Sequence, residues 1–365
     1  MYEQNMKAMN ALANQVYAAN NIGEVMSFPE VITVAVSSIC NYRCLMCAEW
    51  RRPVRQELSP EVADKLKAVL PFVNTLYVTG GEPFLYSKLD DLLQAGQQAG
   101  CHLQLVTNGS LLTDDNIQLV FQRQLQKLKI SLDAAKPATY EYIRGGNLEK
   151  VLRNISRVIE TRNAYGLHAP YIELGFVAMK SNIAELPKFI LMAKKLGVDV
   201  VYVSYMAVHQ EESFEESLFL HQELSDAWMR RASEIAKQVG LAVNLPPLFL
   251  EPPSGPQKAF RSRQDHCFEP WRNMFLWPAG NVSMCCGGGD STGNLTTGTF
   301  HDMWNHPKRV AARKLVNTAH PPKACKDCYT RKQDPNRIGT HISNKELQER
   351  AKQLLAAQNA EHAAV

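Results

Sequence analysis

The chain has 365 residues, 45% of them apolar and 21% charged, with a formal net charge of +4 at pH 7. That length holds one large domain or two moderate ones, and the balance is that of an ordinary soluble globular protein. So small a charge argues against nucleic acid or an anionic membrane surface as partner, and no apolar run of about 18 residues or signal-peptide pattern is present; the expectation is a cytoplasmic protein.

Nine cysteines in such a chain suggest metal binding before disulfides. They fall in two groups, Cys40, Cys44 and Cys47 toward one end and Cys267, Cys285, Cys286, Cys325 and Cys328 toward the other, with Cys101 alone between them.

Residues 1–28 read as an amphipathic helix with Met6, Met9, Leu12 and Val16 on its packing face. From 31 to about 210, short β-branched runs alternate with longer helical patterns. The predicted strands are 31–36, 75–79, 102–107, 127–132, 171–177 and 198–204, and the predicted helices include 60–69, 89–99, 114–124, 148–164 and 186–196. Strand then helix, repeated, predicts a parallel sheet with crossover helices. Six such units fit an incomplete (β/α)6 barrel, whose chemistry sits at the C-terminal strand ends. The fold class is therefore α/β, with a small α+β domain after the barrel. The expected divisions are 1–30 for the N-terminal helix, 31–245 for the partial barrel, 260–335 for the second cysteine domain and 343–365 for a C-terminal helix and tail.

The loop leaving the first predicted strand carries Cys40-Asn-Tyr-Arg-Cys44-Leu-Met-Cys47, a C-x3-C-x2-C spacing. Three thiolates this close can bind three irons of a [4Fe–4S] cluster and leave the fourth iron without a protein ligand. An open position lets substrate or cofactor bind the metal. A structural zinc site would need a fourth Cys or His, and none lies nearby; three free buried thiols is the remaining alternative. The second strand ends in Gly80-Gly81-Glu82. There two glycines let backbone approach a ligand closely, and the acid can accept bonds from an ammonium group, although a plain turn reads the same. Thr107-Asn108-Gly109 reads as a turn.

In Ser131-Leu132-Asp133, strand alternation turns both polar side chains the same way, and inside a barrel they need hydrogen-bond partners. Arg144 reads as a surface ion pair or as a two-point grip on a carboxylate. Glu173, Tyr202, Tyr205 and His209 either line the substrate side or are satisfied structural polar groups. Glu211, Glu212, Glu215 and Glu216 form a solvated acidic face. Pro246, Pro247, Pro252, Pro253 and Pro256 mark the loop before the second cysteine group.

Residues 273–277 and 281–284 read as strand, turn, strand, with Cys285 at the end and a helical stretch at 299–316 before Cys325-Lys-Asp-Cys328. Cys267, Cys285, Cys325 and Cys328 supply four thiolates, enough for zinc or for a fully ligated cluster. A four-cysteine zinc ribbon usually opens with C-x2-C, which is missing here, so the pattern favours iron. Cys286 either replaces Cys285, donates a hydrogen atom or packs; Cys101 reads as a small buried hydrophobe. Residues 344–357 read as a helix, and 360–365 as frayed.

Taken together, the C-x3-C-x2-C loop, Gly80-Gly81-Glu82, Thr107-Asn108-Gly109, Ser131-Leu132-Asp133 and Ile143-Arg144-Gly145 resemble the radical S-adenosylmethionine (SAM) superfamily. Met46 stands where that family often has an aromatic residue. The resemblance implies a [4Fe–4S] cluster on Cys40, Cys44 and Cys47, with the SAM amine and carboxylate on the open iron. It implies SAM contacts from Gly80, Gly81, Glu82, Asn108, Ser131, Asp133 and Arg144. It also implies an electron donor such as flavodoxin or ferredoxin, and reductive cleavage of SAM to a 5′-deoxyadenosyl radical that takes hydrogen from substrate, the cofactor supplying the reactivity.

The spacing C-x12-G-x4-C, then Gly293-Asn294-Leu295, Met303-Trp304-Asn305 and C-x2-C, resembles the SPASM and twitch auxiliary-cluster domains. With no cysteine after Cys328, it resembles the twitch form, one [4Fe–4S] cluster on Cys267, Cys285, Cys325 and Cys328. Such a cluster implies electron transfer, and so a two-electron oxidation of a small sugar- or aminocyclitol-like substrate, as in 2-deoxy-scyllo-inosamine dehydrogenase. The alternatives are modification of a ribosomally made peptide, which the short stretch before the first strand argues against, a redox-neutral sugar epimerisation or dehydration, and a non-enzymatic Fe–S or zinc protein.

Overall fold

The computed structural model describes residues 2–51, 54–251, 266–285, 291–326, 328, 335–336 and 338–363. Nine strands form one sheet: β1 (Val31–Ala35), β2 (Thr75–Thr79), β3 (His102–Thr107), β4 (Lys127–Ser131), β5 (Tyr171–Ala178), β6 (Val200–Tyr205), β7 (Ala242–Asn244), β8 (Asn273–Leu276) and β9 (Val282–Ser283). They lie in the order β7-β6-β5-β4-β3-β2-β1-β8-β9, with β7 and β9 at the edges. Among the described residues only the β8–β9 strand pairing is antiparallel; the other neighbours run parallel. This is the open α/β barrel that alternating strand and helix patterns require.

Two details depart from expectation. A seventh parallel strand, β7, follows the helix Gln222–Val239; at three residues, two of them exposed, it is too short for its pattern to reveal it. And β8, expected in a separate domain, pairs with β1 from Val31↔Asn273 to Val34↔Leu276, so one sheet crosses the anticipated boundary.

Strand alternation sorts the side chains. Ile32, Val34, Leu76, Val78, Leu103, Leu105, Leu128 and Ile130 are buried against the crossover helices. At Gly96, inside the helix Leu89–Gln98, an added Cβ would lie 2.6 Å from Leu103 and 3.0 Å from Leu76. The opposite, inner face presents Thr33, Tyr77, Gln104, Lys127, Lys129 and Tyr202, all at least partly accessible.

The N-terminal helix corrects two expectations. It spans Tyr2–Ala19 rather than 1–28, and its packing face is the polar one. Lys7, Asn10, Asn14 and Ala18 are buried, while Met9, Leu12 and Val16 are 70%, 61% and 51% exposed. Loose backbone carbonyls explain the choice. Asn10 Nδ2 donates to Phe28 O (2.9 Å) and Phe72 O (3.1 Å), Asn14 Nδ2 to Phe28 O (2.9 Å) and Lys7 Nζ to Val73 O (2.7 Å). Buried carbonyls need partners, and amides on the helix supply them.

The acidic run is solvated as expected, with Glu211, Glu212 and Glu215 exposed, and it is paired as well. Glu211 and Glu215 pair with Arg350 of the C-terminal helix Lys345–Ala363, which continues beyond the expected 357, and Glu216 accepts from Ser181 N at 2.9 Å. The stretch expected as one helix at 299–316 is two, Phe300–Trp304 and Pro307–Leu315, because the residue before Pro307 is driven out of helical geometry. Cys286 and Pro252, Pro253 and Pro256 lie outside the described residues.

Asn14→Ala is expected to lower the stability of the chain by about 1–3 kcal/mol, because it strands buried carbonyl and hydroxyl groups; Leu12→Ala is expected to change it by no more than about 0.5 kcal/mol. Denaturant midpoints of the two variants check the assignment of the docked face.

Candidate active site

Because β1 to β4 are parallel neighbours, their C-terminal ends form one rim. The cysteine loop leaves β1 there, Gly80–Glu82 leave β2, Asn108 follows β3 and Asp133 lies just past β4. Segments spread over a hundred positions of sequence thus meet at one end of the barrel.

The loops after β1 and β2 are bonded backbone to backbone. Gly81 N donates to Ser37 O at 2.6 Å and Glu82 N to Ile39 O at 2.8 Å. A Cβ on Gly80 would stand 2.4 Å from Ser37 O, and one on Gly81 2.0 Å from Ile39 O; Gly80 also has φ +131°. The close approach expected toward a ligand is here an approach to the chain entering the cysteine loop.

Glu82 is fully buried. Its Oε1 accepts from Thr107 Oγ1 (2.8 Å) and Phe84 N (3.3 Å), and its Oε2 from Asn108 N (2.8 Å). Those three bonds leave about one of the four or so lone-pair sites of a carboxylate for anything else. Burial raises its pKa above the ordinary carboxyl value, and the hydrogen bonds from Asn108 and Thr107 pull the other way. Asn108 is tied into the loop by a further network: its Nδ2 donates to Asn41 Oδ1 (2.9 Å) and points at Cys40 Sγ (4.0 Å), and its Oδ1 accepts from Ser110.

Strand alternation does not carry from Ser131 to Asp133. β4 ends at Ser131 and Asp133 turns with φ +62°, so the two side chains are not paired on one strand face. Asp133 Oδ1 accepts from Val177 N at 2.7 Å, and its Oδ2 meets Arg144 Nη2 at 2.5 Å. Arg144 is buried, so the surface ion-pair reading fails; its Nη1 also reaches Cys44 Sγ at 3.6 Å. The neighbouring backbone holds the same loop, Leu45 N donating to Ile143 O at 2.8 Å. Trp50 Nε1 donates to Cys44 O and Gln210 Nε2 to Leu45 O. These two, with Asn41 and Ser110, had no motif to mark them in the sequence.

Of the other candidates, Glu173 is buried between Lys127 and Lys129, whose charges hold its carboxyl below the ordinary value despite burial. Tyr205 donates to Pro247 O at 2.8 Å and packs on Phe249, a structural role. His209 meets Ser343 Oγ at 3.1 Å, and Tyr202 lies under Lys129 Nζ at 4.3 Å, on the inner face. Cys101 is buried, with Sγ 3.7 Å from Lys7 Nζ.

The thiols fit a cluster. Cys40, Cys44 and Cys47 are unbridged and half-buried, and each of the first two is shaped by the charges of its neighbours. Burial raises Cys40, and raises Cys44 to about 11 with Arg144 opposing. Metal ligation takes the place of those protons. Among the described residues no three His, Cys, Asp or Glu side chains converge on a single ion; in a cubane each thiolate takes its own iron.

The second group lies at the other end of the sheet. Cys267 precedes β8 and Cys285 follows the antiparallel β9, so both sit beyond the N-terminal end of β1. Burial raises Cys267 to about 11, and the charges of Cys325 and Cys328 add to it. One strand of five residues separates the ends, roughly 16 Å at about 3.3 Å per residue. Between them runs the polar inner face, beside which the rings of Phe275 and Trp277 pack with centroids 4.5 Å apart. A cavity of about 610 Å³ lies beside Ser38, Glu49, Gln56, Trp277 and Ser283, within the size of small-molecule sites.

Comparison with known proteins identifies two domains in the chain. Residues 34–164 match the radical SAM superfamily and residues 267–329 an iron–sulfur cluster-binding (SPASM) domain. The chain therefore carries a radical SAM domain followed by a SPASM domain, a pair that implies two [4Fe–4S] clusters and SAM. Among curated proteins it is similar to a probable GTP 3',8-cyclase of Methanococcus aeolicus, 26% identical over 188 residues, covering 49% of this chain and 60% of that one. It is similar also to a tungsten-containing aldehyde ferredoxin oxidoreductase cofactor-modifying protein of Pyrococcus furiosus, 28% identical over 176 residues, covering 46% and 49%. The chain thus spans about half to 60% of the length of these relatives. In fold it is similar to SuiB of Streptococcus suis bound to S-adenosylmethionine, TM-score 0.63 at 15% identity, over 89% of this chain and 76% of that one. It is equally similar to anSMEcpe with bound AdoMet, TM-score 0.63 at 15% identity, over 89% and 95%.

Two outcomes follow from this geometry. Gly81→Ala should push Ile39 and the cysteine loop aside, so that iron per reconstituted chain drops from about eight toward about four, while the folded far-ultraviolet spectrum is kept. In the iron-free chain, Cys44 should resist iodoacetamide at pH 8 because its thiol is raised to about 11. Between the ordinary 9.0 and about 11 the unfolded chain has lost that proton while the folded chain keeps it, so its contribution to folding stability falls as pH rises through that window.

Proposed function

We propose that the chain is a radical SAM enzyme that takes a hydrogen atom from a polar small molecule, of sugar or aminocyclitol type, and completes a two-electron oxidation of it. The observation that carries this reading is the placing of two cysteine groups at opposite ends of one inner face lined by Thr33, Tyr77, Gln104, Lys129 and Tyr202, side chains that can hydrogen-bond a polyhydroxylated substrate. Cys40, Cys44 and Cys47 would hold one cluster and Cys267, Cys285, Cys325 and Cys328 the other; when bound, these groups and SAM supply the deoxyadenosyl radical and an acceptor for the electron the substrate radical loses with its hydroxyl proton. Arg144, fixed by Asp133, keeps a positive charge beside Cys44. Gly80, Gly81, Glu82, Asn108 and Ser131 shape the rim where SAM would sit. An external donor such as flavodoxin or ferredoxin supplies the starting electron.

A second reading has one observation in its favour. Lys127 and Lys129 share the single carboxylate of Glu173, which leaves net positive charge on the inner face, and the curated relatives include GTP 3',8-cyclases. An anionic nucleotide is the substrate class this would suit.

Cys44→Ala should abolish SAM cleavage, because two thiolates hold a cluster poorly, whereas Cys325→Ala should spare uncoupled cleavage and stop product formation. Deuterium transfer into 5′-deoxyadenosine, measured with specifically labelled aminocyclitols, GTP and peptides, tests the substrate class. Transfer from an aminocyclitol or sugar is expected; transfer from GTP moves the assignment to the second reading, and transfer from a peptide alone overturns both.

A further inference from the structure

Two arginines in the SPASM domain are buried without an acid. Arg309 and Arg313 stand one helical turn apart on the helix Pro307–Leu315 and are fully buried. Their guanidinium carbons stack over Trp304, each 4.5 Å from the ring centre, and no carboxylate pairs with either among the described residues. Their bonds go to main-chain and amide oxygens instead. Arg309 donates to Pro270 O (3.2 Å), Asn273 O (3.0 Å) and Ser283 O (3.0 Å). Arg313 donates to Pro270 O (3.0 Å), Gly23 O (2.9 Å) and Asn305 Oδ1 (3.2 Å). Arg309 Nε, Arg313 Nη2 and Trp304 Nε1 are buried and have no acceptor.

A buried cation without a counter-charge is costly, and two side by side more so. Burial lowers both guanidinium groups from their ordinary value, Arg313 to about 9, and the charge that offsets this at Arg309 is that of the Cys285 thiolate. The carbonyls that Arg309 grips sit at three points of the cysteine-bearing hairpin: Pro270, three residues past Cys267; Asn273, opening β8; and Ser283, two residues before Cys285. Positive charge is therefore built into the wall of the second cysteine group, on the residues that set its shape.

We propose that Arg309 and Arg313 are the fixed counter-cations of the auxiliary cluster bound through Cys267 and Cys285, and that their charge holds its reduction potential up so that it accepts an electron. This rests on the proposed second cluster. A thiolate-ligated cluster is anionic and gains one negative charge on reduction, so a nearby fixed cation stabilises the reduced form more than the oxidised one. Arg309 acts as a positioning residue as well, since one guanidinium joins both segments that carry thiols. The Trp304 indole offers its π face to both cations.

The test is a potentiometric titration, followed by electron paramagnetic resonance, of the anaerobically reconstituted full chain and of Arg309→Gln, Arg313→Gln and Arg309→Lys. In the glutamine variants the midpoint of the second cluster is expected to move to more negative potential while the first stays put, and the lysine variant is expected to keep the parent midpoint. An unchanged second midpoint in a fully iron-loaded glutamine variant overturns the proposal. If the glutamine variants fail to load, loading restored by lysine supports the role of charge, and loss in lysine too shows a packing role and overturns it. About four irons and a single cluster signal in the parent chain would instead overturn the two-cluster reading, a result separate from any shift among variants.

Discussion

Two backbone hydrogen bonds, from Gly81 N to Ser37 O and from Glu82 N to Ile39 O, hold the cysteine loop against the end of β2. Each bond is short because neither glycine has a Cβ to keep the strands' loops apart. Everything else on the rim builds outward from that contact. Glu82 turns its carboxylate away into the barrel wall and uses it to tie Thr107 and Asn108 of the third strand end. Asn108 then reaches back to Asn41 and Cys40. The loop is thus fixed from three consecutive strand ends by protein contacts, and preorganisation of that kind lowers the cost of assembling a site.

The two cysteine groups handle charge differently. At the first, Arg144 and Asp133 neutralise each other at 2.5 Å in the interior, so the site adds little net charge while still aiming a guanidinium at Cys44. At the second, Arg309 and Arg313 have no acid partner among the described residues, and backbone carbonyls do the hydrogen bonding. Under the proposed occupancy, the unbalanced pair would face a fully thiolate-ligated, anionic cluster.

The N-terminal helix is docked by polar groups rather than by an apolar stripe. It buries Lys7, Asn10 and Asn14 and exposes Met9, Leu12 and Val16. The C-terminal helix instead buries Leu347 and Ala351, while its exposed Arg350 pairs with Glu211 and Glu215 and stacks 4.5 Å from the Phe214 ring. At the N-terminal helix the receiving surface is a set of carbonyls left over at the ends of other elements. A helix that satisfies them is favoured over one that merely covers more carbon, because unpaired polar groups carry the larger penalty.

The parallel α/β order and the two cysteine groups were legible in the chain alone, since both rest on local signals: β-branched runs between helical periods, and thiols at ligand spacing. Gly80-Gly81-Glu82 and Arg144 could also be singled out, but not what they touch. That Glu82 braces Thr107 and Asn108, that Arg144 pairs inward with Asp133, and that the N-terminal helix packs by its amides were decided by tertiary structure, because each depends on a partner remote in sequence that periodicity does not encode. The same holds for β8, whose pairing with β1 sets the second cysteine group at the far end of the barrel. Spacing specifies which residues can share a metal; only the register of the sheet determines which end of it they occupy.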